Sequence, residues 1–311
     1  MKNIAFIFPG QGSQTIGMGK DFFENSDIAK DMISKASERL GFSFEELLFS
    51  ENDNLGKTQF TQPAILLVSC IALEIFKSKC DIKPQFVLGH SLGEFSALVA
   101  SGAISYLDAI ELVHKRGLFM NEACSGAGAG MMALIGLDDA TVESMTASQR
   151  EAGKKIWAAN YNMDGQIVVA GIKADLESLV DTYKEAGAKR AIVLDMSVAS
   201  HCELLQSAVT KLNPYLDDFI TDDFNVQIIS NVTANEYNTK SQAIELLGQQ
   251  LISPVKYKHS IKEFSSSIDC FIEFGNGAVL KGINRKIVKE IPTLNVSDMK
   301  SLDATMEALN D

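Results

Sequence analysis

The sequence predicts an α/β protein that carries a second, smaller α+β unit, and three observations lead to this prediction. Short apolar runs alternate with helical periodicity in the first and last parts of the 311-residue chain. In the middle the order becomes β-α-β-β-α-β, the order of the ferredoxin-like split unit. One strand-to-helix junction, Gly89-His90-Ser91-Leu92-Gly93, has the G-x-S-x-G pattern of a nucleophile elbow. We expect a large domain at 1–126 and 199–311 and an inserted subdomain at 127–198.

The elements of the large domain follow from apolar periodicity, caps and breakers. Pro63 suits the first turn of a long apolar helix, and Ser105 is a typical N-cap residue. In chain order we expect a strand at Ile4–Phe8, helices at Asp27–Leu40 and from Thr61 to about Lys79, the strand and helix around Ser91, a helix from Tyr106 to about Glu122, a helix from Glu203 to about Leu212, a strand at Val226–Ile229, two helices around Pro254, a strand at Cys270–Phe274, a helix to about Lys289 and a strand at Thr293–Val296.

Three closely spaced glycines, Gly126, Gly128 and Gly130, indicate a hinge where the inserted unit begins. A cleft between such a unit and the large domain is a preferred place for a ligand. The expected elements are a strand at 131–136, a helix at 138–150, strands at 156–161 and 166–170, a helix at 174–186 and a strand at 190–194.

The composition excludes several classes of function. With 28 Lys and Arg against 40 Asp and Glu, the net charge is −12 and the pI is near 4.9, which argues against nucleic-acid and anionic-membrane binders. Five cysteines without a C-x-x-C pair fit a reducing compartment. No apolar run reaches the ~18 residues that span a bilayer. The apolar start, Ile4–Phe8, indicates a strand and not a signal peptide. We therefore expect a cytoplasmic protein that binds neither nucleic acid nor membrane.

Ser91 is the candidate nucleophile, and the reason is steric. A serine on a sharp strand-to-helix turn needs small residues two positions before and after it, and Gly89 and Gly93 supply them. The turn lifts the hydroxyl clear of the sheet and places the Leu92 N–H at a helix N-terminus, where an oxyanion would be stabilised. A second donor could come from the backbone of Gln11 in the loop after the first strand, or Gln11 could instead hold that loop. The alternative for the whole motif is a plain strand–helix turn.

A serine nucleophile needs a base, which is usually histidine. The chain has four: His90 adjoins the serine and should point away, His114 lies within a helix, and His259 sits among lysines. His201 follows a run of small residues that would let it approach another loop, so elimination favours His201 as the base. The alternative is a structural histidine at a helix start. No carboxylate stands in a recognisable triad position, so a backbone carbonyl could orient the ring.

Arg116 is the informative charge, because helical spacing places it on the apolar stripe of its helix with Ile110, Val113 and Met120. A charge there is costly unless it is paired. One interpretation is a bidentate clamp for a substrate carboxylate. The other is a cation near the helix end that pairs with the helix dipole. For Gln62, before Pro63, the sequence indicates at most a cap.

These pieces together resemble a known family. The motifs occur in the order Phe8-Pro9-Gly10-Gln11-Gly12-Ser13-Gln14, Thr61-Gln62-Pro63-Ala64, Gly89-His90-Ser91-Leu92-Gly93-Glu94, Arg116-Gly117, Ser200-His201, Gln250-Leu251, Ser253-Pro254-Val255 and Glu273-Phe274-Gly275-Asn276-Gly277. The chain resembles, over nearly its whole length, the malonyl-CoA:acyl carrier protein transacylases of bacterial fatty-acid synthesis. The resemblance implies an α/β-hydrolase-like large domain with an inserted ferredoxin-like subdomain, in agreement with the strand order above.

The resemblance also implies roles for the candidate residues. Ser91 would be the acylated nucleophile, His201 its base, and Arg116 the partner of the malonyl carboxylate. The backbone N–H groups of Gln11 and Leu92 would form the oxyanion hole. No metal or redox cofactor is implied; the substrates would be malonyl-CoA and the phosphopantetheine thiol of acyl carrier protein, and we expect a monomer.

The resemblance also implies residues that orient the His201 ring, line the cleft and dock the carrier protein. The Gln250 loop would orient His201 through a main-chain carbonyl, which accounts for the missing triad carboxylate. Three residues would line the cleft for the CoA or carrier arm: Met131, Asn160 and Asn162. Because carrier proteins of this pathway are acidic, we expect docking on local basic residues, with Lys189, Arg190, Arg285 and Lys286 as candidates.

Other readings of the same motifs stay open at this point. A serine esterase or thioesterase also uses G-x-S-x-G, but a lipase-type pocket has no use for Arg116. A polyketide-pathway acyltransferase is a second alternative, and Ser200 leaves acceptance of α-methyl substrates open. A carrier-binding module with a dead site is disfavoured because both Ser91 and His201 are present.

Overall fold

The computed structural model describes residues 2–196 and 198–310. Its strands are β1 (Ile4–Phe8), β2 (Phe86–Gly89), β3 (Ala129–Ile135), β4 (Ile156–Met163), β5 (Gln166–Ile172), β6 (Arg190–Val193), β7 (Gln227–Ile229), β8 (Glu236–Tyr237), β9 (Cys270–Phe274) and β10 (Thr293–Val296). Its α-helices are α1 (Lys20–Asn25), α2 (Asp27–Leu40), α3 (Phe44–Phe49), α4 (Thr58–Lys79), α5 (Gly93–Ser101), α6 (Tyr106–Cys124), α7 (Asp139–Glu151), α8 (Lys173–Ser178), α9 (Val180–Glu185), α10 (Gln206–Phe219), α11 (Lys240–Gln250), α12 (Tyr257–Phe264), α13 (Val279–Ile287) and α14 (Met299–Asn310).

A six-stranded sheet forms the centre of the fold, in the order β10-β9-β1-β2-β7-β8. All neighbours pair in parallel except β8, which runs antiparallel to β7. Strands β1, β2 and β9 are buried at every position, because helices cover both faces of a parallel sheet. This is why their sequences are continuous apolar runs rather than alternating ones. The prediction of a mixed α/β fold is confirmed.

The carboxyl ends of the parallel strands bring four distant segments to one edge of the sheet. The loop at 9–14 follows β1, the Ser91 turn follows β2, Ser230-Asn231 follows β7, and Gly275-Asn276-Gly277 follows β9. In open α/β sheets this edge is where ligands bind.

The second sheet has four antiparallel strands in the order β4-β5-β3-β6. With α7, α8 and α9, the segment shows the predicted order β-α-β-β-α-β, with the second helical stretch split in two. Side chains alternate between the faces of a strand. Met132 and Leu134 therefore pack in the subdomain's own core, whereas Ala129 and Met131 pack against the core of the large sheet.

Two sets of contacts fasten the small sheet and α7 to the segment that contains Val255 and α12. Val255 exchanges main-chain hydrogen bonds with β4: its N–H donates to Ala159 O (2.8 Å) and its carbonyl accepts from Tyr161 N–H (2.9 Å). The buried Lys258 of α12 donates to both carboxylate oxygens of Asp139, each at 2.7 Å. The residues of β4 that line the cavity are thus held in place by the segment that leads into α12.

Helix α4 differs from the prediction at its start, because it begins at Thr58 and places Pro63 in its second turn. A proline there leaves the carbonyl four residues earlier without its helical donor. That carbonyl, on Gln59, accepts a hydrogen bond from His114 Nδ1–H at 2.7 Å. The tertiary contact satisfies the group that would otherwise have ended the helix, and a local sequence rule cannot anticipate it.

Helix α4 is also the one described helix that is long and apolar enough to cross a bilayer, contrary to the sequence expectation that no such stretch exists. Its most apolar 18-residue window has a mean hydropathy of 1.5, and 83% of that window is buried inside the protein. Occasional Thr, Ser and Gln interrupt the apolar residues, which is why a search for an unbroken run misses it.

Other boundaries also differ. The helix predicted at 174–186 is two short helices that part at Leu179, and the one expected to end near Leu212 continues to Phe219 after a turn of 3₁₀-helix at Glu203–Leu205. The sequence analysis did not single out α1, α3, β8 or α14.

Candidate active site

The turn at Ser91 has the strained backbone of an elbow. Ser91 has a φ of +52°, which is rare for a residue with a side chain. A Cβ on Gly89 would lie 1.8 Å from the carbonyl carbon of Gly93, and a Cβ on Gly93 would lie 2.0 Å from the carbonyl oxygen of Phe8. Only glycine fits at either position, which is the steric requirement inferred from the sequence.

We expect Gly93→Ala to destabilise the protein by about 4 kcal/mol or more, because its methyl group would overlap a backbone oxygen of β1 that cannot move. For a chain of 311 residues this corresponds to a fall in Tm of roughly 6 °C or more. The matched control is Gly282→Ala in α13, where a Cβ would meet nothing within 4 Å. Thermal unfolding of both variants checks the prediction; equal Tm values would show that the elbow is not constrained by packing.

Ser91 and His201 form a hydrogen-bonded pair, with Oγ 2.7 Å from Nε2. The other ring nitrogen, Nδ1, lies 2.7 Å from the main-chain carbonyl of Gln250. Because a carbonyl can only accept, Nδ1 carries the proton and Nε2 is free to accept the serine proton. Burial, together with the nearby Arg116 charge, lowers the pKa of His201 to about 3, so the ring is neutral at pH 7. The geometry is that of a serine with a general base.

Two residues that line the same cavity as Ser91 have a backbone N–H group available. They are Leu92, just before α5, and Gln11, in the loop after β1. Neither N–H donates a hydrogen bond to any residue that the structure describes. The Gln11 loop lies against the elbow: a Cβ on Gly10 would be 2.3 Å from the carbonyl oxygen of His90. The pair suits stabilisation of an oxyanion formed at Ser91.

Asn276 holds the Gln11 loop from behind. Its side-chain Nδ2 donates to the Ser13 carbonyl at 2.6 Å and to Thr15 Oγ1 at 2.9 Å. The Gly275-Asn276-Gly277 segment is a bend between β9 and α13, and its asparagine positions the Gln11 loop, a role that the sequence did not reveal.

Arg116 is buried at 2% exposure beside the Ser–His pair. Its Nη1 donates to Gln62 Oε1 at 2.7 Å and its Nη2 to Gln250 Oε1 at 2.9 Å, with Ser91 Oγ at 3.4 Å from Nη2. Its Nε has no partner among the described residues, and the guanidinium lies over the Phe95 ring at 5.3 Å. Burial lowers the pKa of Arg116 to about 10, which leaves it charged at pH 7. A buried cation with spare donors next to a nucleophile suits an anionic substrate group.

The contacts of Arg116 correct the interpretation of Gln62, which is fully buried in the second turn of α4 and is not a cap. Its carbonyl oxygen accepts from the guanidinium, and its Nε2 donates to Thr58 Oγ1 at 2.8 Å.

Two residues that the sequence analysis did not propose also support the site. Asn231 accepts a hydrogen bond from the Ser91 N–H and donates one to the Gly89 carbonyl, both at 2.7 Å. Glu94 is fully buried and accepts from Gln250 Nε2 at 2.7 Å. The position of Asn231 at the carboxyl end of a strand is a signal that could have pointed to it.

A cavity of about 320 Å³ opens in front of Ser91. The predicted cleft residues Met131, Asn160 and Asn162 line it together with His90, whose Nε2 is 2.8 Å from Asn162 Oδ1. A second cavity of about 740 Å³, between the start of α4 and the segment after α6, shares Gln11 and three further lining residues with it. The two cavities give a path along which a long substrate arm could reach the serine.

Comparison with known proteins agrees with this geometry. The acyl transferase domain family matches residues 5–305. Malonyl CoA-acyl carrier protein transacylase of Bacillus subtilis is 41% identical over 100% of this chain and 98% of that protein. The crystal structure of the Helicobacter pylori malonyl-CoA:acyl carrier protein transacylase superposes with a TM-score of 0.96 at 43% identity, covering 100% of this chain and 99% of the other.

This chain belongs to the malonyl-CoA:acyl carrier protein transacylase family.

A further member of the transacylase family is known in complex with a carrier. This malonyl-transacylase, solved with a type II polyketide acyl carrier protein, has a TM-score of 0.94 at 33% identity, covering 98% of this chain and 99% of that one. In the present transacylase-family chain, the four predicted docking residues are exposed and none of them lines either cavity: Lys189, Arg190, Arg285 and Lys286. Their docking role stays a prediction.

Proposed function

We propose that this protein transfers a malonyl group from malonyl-CoA to the phosphopantetheine thiol of acyl carrier protein through an acyl-serine intermediate. One observation carries the proposal: the Ser91 hydroxyl lies 2.7 Å from the neutral His201 ring and 3.4 Å from the buried Arg116 cation. A serine nucleophile that faces both a base and a fixed positive charge suits an acyl group that bears a carboxylate.

In the first half-reaction His201 Nε2 takes the Ser91 proton as Oγ attacks the thioester carbonyl carbon. The new C–O bond leaves an oxyanion, which the Gln11 and Leu92 N–H groups stabilise. Collapse breaks the C–S bond, and the imidazolium returns its proton to the departing CoA sulfur. In the second half-reaction the carrier thiol gives its proton to His201 Nε2 as its sulfur attacks the carbonyl carbon of the acyl-serine. Collapse breaks the C–Oγ bond, and the imidazolium returns the proton to Ser91 Oγ.

Arg116 would fix the malonyl group during both steps. Three of its five N–H donors are used by Gln62, Gln250 and the Ser91 hydroxyl, so donors remain on Nη1 and Nε for a carboxylate. The same feature disfavours a simple esterase or lipase, because a buried unpaired cation would be costly opposite an apolar acyl chain.

The test is the intact mass of the protein after mixing with malonyl-CoA alone. We expect one malonyl adduct on Ser91 that persists until a holo carrier protein is added, and no adduct on Ser91→Ala. Rapid loss of the adduct to water, with no transfer to the carrier thiol, would identify a thioesterase instead. Holo carriers of the fatty-acid and polyketide type, assayed side by side, distinguish the two pathways. The comparison is needed because one family member is known in complex with a type II polyketide carrier.

The lowered His201 pKa leads to a prediction about pH. At pH 5 an ordinary imidazole with a pKa of about 6.5 would be almost fully protonated and would lose about thirtyfold in base activity relative to pH 8. Because burial lowers the pKa of His201 to about 3, the ring stays unprotonated over this range. We expect kcat/KM for acetyl-CoA, which has no carboxylate to titrate, to change less than about twofold between pH 8 and 5. An acid limb near pH 6.5 would contradict the assignment.

We also propose how the chain divides into two units, where the protein is located, its oligomeric state and its cofactor requirement. The large unit, 1–126 and 199–311, is α/β-hydrolase-like, and the unit at 127–198 is ferredoxin-like, an interpretation supported by the antiparallel order β4-β5-β3-β6. Residues 1, 197 and 311 of these ranges lie outside the described part of the chain. We further propose a cytoplasmic monomer that needs no metal or redox cofactor, since acyl transfer by Ser91 and His201 involves no electron transfer.

A further inference from the structure

Glu94 lies beside the reacting groups but has no part in the steps given above. It is fully buried on α5. Its Oε2 accepts from Gln250 Nε2 at 2.7 Å and from the Asn231 N–H at 3.2 Å, and its Oε1 accepts from the Tyr237 hydroxyl at 3.1 Å. A carboxyl group is thus held inside the protein by three donors, at the rear of the active site.

One side-chain amide joins Glu94 to Arg116. The Nε2 of Gln250 donates to Glu94, and its Oε1 accepts from Arg116 Nη2 at 2.9 Å. This orientation of the amide is required, because a guanidinium can only donate and an ionised carboxylate can only accept. In the free protein the buried site therefore holds one cation and one carboxyl group that share a single bridging residue.

The charge of this site changes when a substrate carboxylate binds. With Glu94 ionised, Arg116 and Glu94 compensate each other, and a bound carboxylate would leave two negative charges around one positive charge in a poorly solvated region. A like charge nearby favours the protonated form of a carboxyl group. Burial already raises the pKa of Glu94 to about 7, so little further change is needed for it to bind a proton near neutral pH.

The groups that face Glu94 support this assignment of the proton. Arg116 on α6 is its charged neighbour, and Tyr237 on β8 is its titratable neighbour. Burial raises the pKa of Tyr237 well above its usual value, so it stays neutral. Gln250 and Asn231 carry no charge. His90 and His201 line the cavity in front of Arg116 and are the alternative acceptors of a proton.

We propose that Glu94 takes up one proton from solvent when the carboxylate of the acyl group binds Arg116, so that the buried site again holds one cation and one anion. This inference rests on the proposed function, because it assumes a substrate with a carboxylate. Affinity for malonyl-CoA should then fall by up to about tenfold per pH unit once Glu94 is ionised in the free protein. Thioesters without a carboxylate should show no such dependence.

The experiment is calorimetric titration of the Ser91→Ala protein, which cannot be acylated, at pH 8 in two buffers with different ionisation enthalpies. The difference in heat gives the number of protons taken up. We expect close to one for malonyl-CoA and close to zero for acetyl-CoA and for free CoA. Adding Glu94→Gln, which keeps an acceptor for Gln250 but has no charge, should abolish the uptake and the pH dependence. Adding Tyr237→Phe, which keeps the carboxyl group of Glu94 but removes one donor to it, should retain proton uptake specific to malonyl-CoA. Its pH dependence should move to higher pH, because the loss of a donor raises the pKa of a carboxyl group.

Malonyl-CoA binding without proton uptake, or with the same uptake as acetyl-CoA, would overturn the inference and leave the proposed function standing. Uptake that persists in Glu94→Gln would assign the proton to another group, such as His201, and would also overturn it. The comparison of malonyl-CoA with acetyl-CoA and CoA needs no change at Glu94, so it decides the matter even where Glu94→Gln does not fold. Absence of any malonyl-CoA binding would instead refute the proposed function.

Discussion

Replacing His201 by alanine is expected to slow acylation of Ser91 by malonyl-CoA by roughly three to five orders of magnitude, the scale of the loss when a triad-type base is removed. The reason is the 2.7 Å contact between Ser91 Oγ and His201 Nε2, with the Gln250 carbonyl fixing the tautomer. Without the ring, no other neutral acceptor among the described residues lies within hydrogen-bond distance of the Ser91 hydroxyl. The measurement is single-turnover formation of the acyl-enzyme, followed by mass.

The matched control is His259→Ala on α12, since His259 is 43% exposed and pairs with Asp139 outside the cavity. It should retain activity within about twofold. The other histidine in the cavity, His90, has its Nε2 bound to Asn162 and not to Ser91. A mild effect of His201→Ala together with a severe effect of His90→Ala would therefore move the base to His90 and refute the dyad described here.

Ser91 and Arg116 were predictable because each stands in a local pattern, whereas His201 was predicted by elimination of the other three histidines. Gly89 and Gly93 mark the strained turn at Ser91, and the apolar stripe of α6 marks Arg116 as a buried charge. The residues that support them stand in no such pattern. Asn231 is 140 positions from Ser91 and Gln250 is 134 from Arg116, so only the folded sheet brings them together. Glu94 lies directly after the Gly93 of the motif. Its role, however, depends on hydrogen bonds from Gln250, Asn231 and Tyr237, and none of these is its neighbour in sequence.

The difference between local patterns and long-range contacts also explains which parts of the fold were predicted. Long periodic elements and buried strands were predicted, because period and burial are local properties. The start of α4 was missed, since the carbonyl left free by Pro63 is satisfied by His114 from another helix. For α3 a usable signal was present: Ser43 and Glu46 have the spacing of a capping box, and the Ser43 hydroxyl accepts from the Glu46 N–H. For β8, only two residues long, pairing with β7 is its sole reason to be a strand.

Arg116→Ala is expected to change which thioester the protein prefers. Leaving one partner of a buried charge pair alone typically costs ~3–5 kcal/mol. At about 1.4 kcal/mol per tenfold, the loss in kcat/KM for malonyl-CoA should be roughly two to four decades. Acetyl-CoA has no carboxylate to leave unpaired, so it should lose nothing comparable and can gain once the cation is gone. The measurement is kcat/KM for both thioesters.

Two further variants test whether Arg116 acts through its bidentate geometry or only through its positive charge. Arg116→Lys should rescue poorly, because one ammonium cannot reproduce the planar fork that holds Gln62 Oε1 and Gln250 Oε1 and still present two donors to the substrate. Lys115→Ala removes the neighbouring cation of α6, which lies over the Tyr215 ring outside the cavity, and should leave the malonyl-to-acetyl ratio unchanged. If both thioesters fall in parallel in Arg116→Ala, then Arg116 is a structural cation. In that case the preference for a carboxylate must come from elsewhere in the cavity, whereas the Ser91–His201 chemistry would still stand.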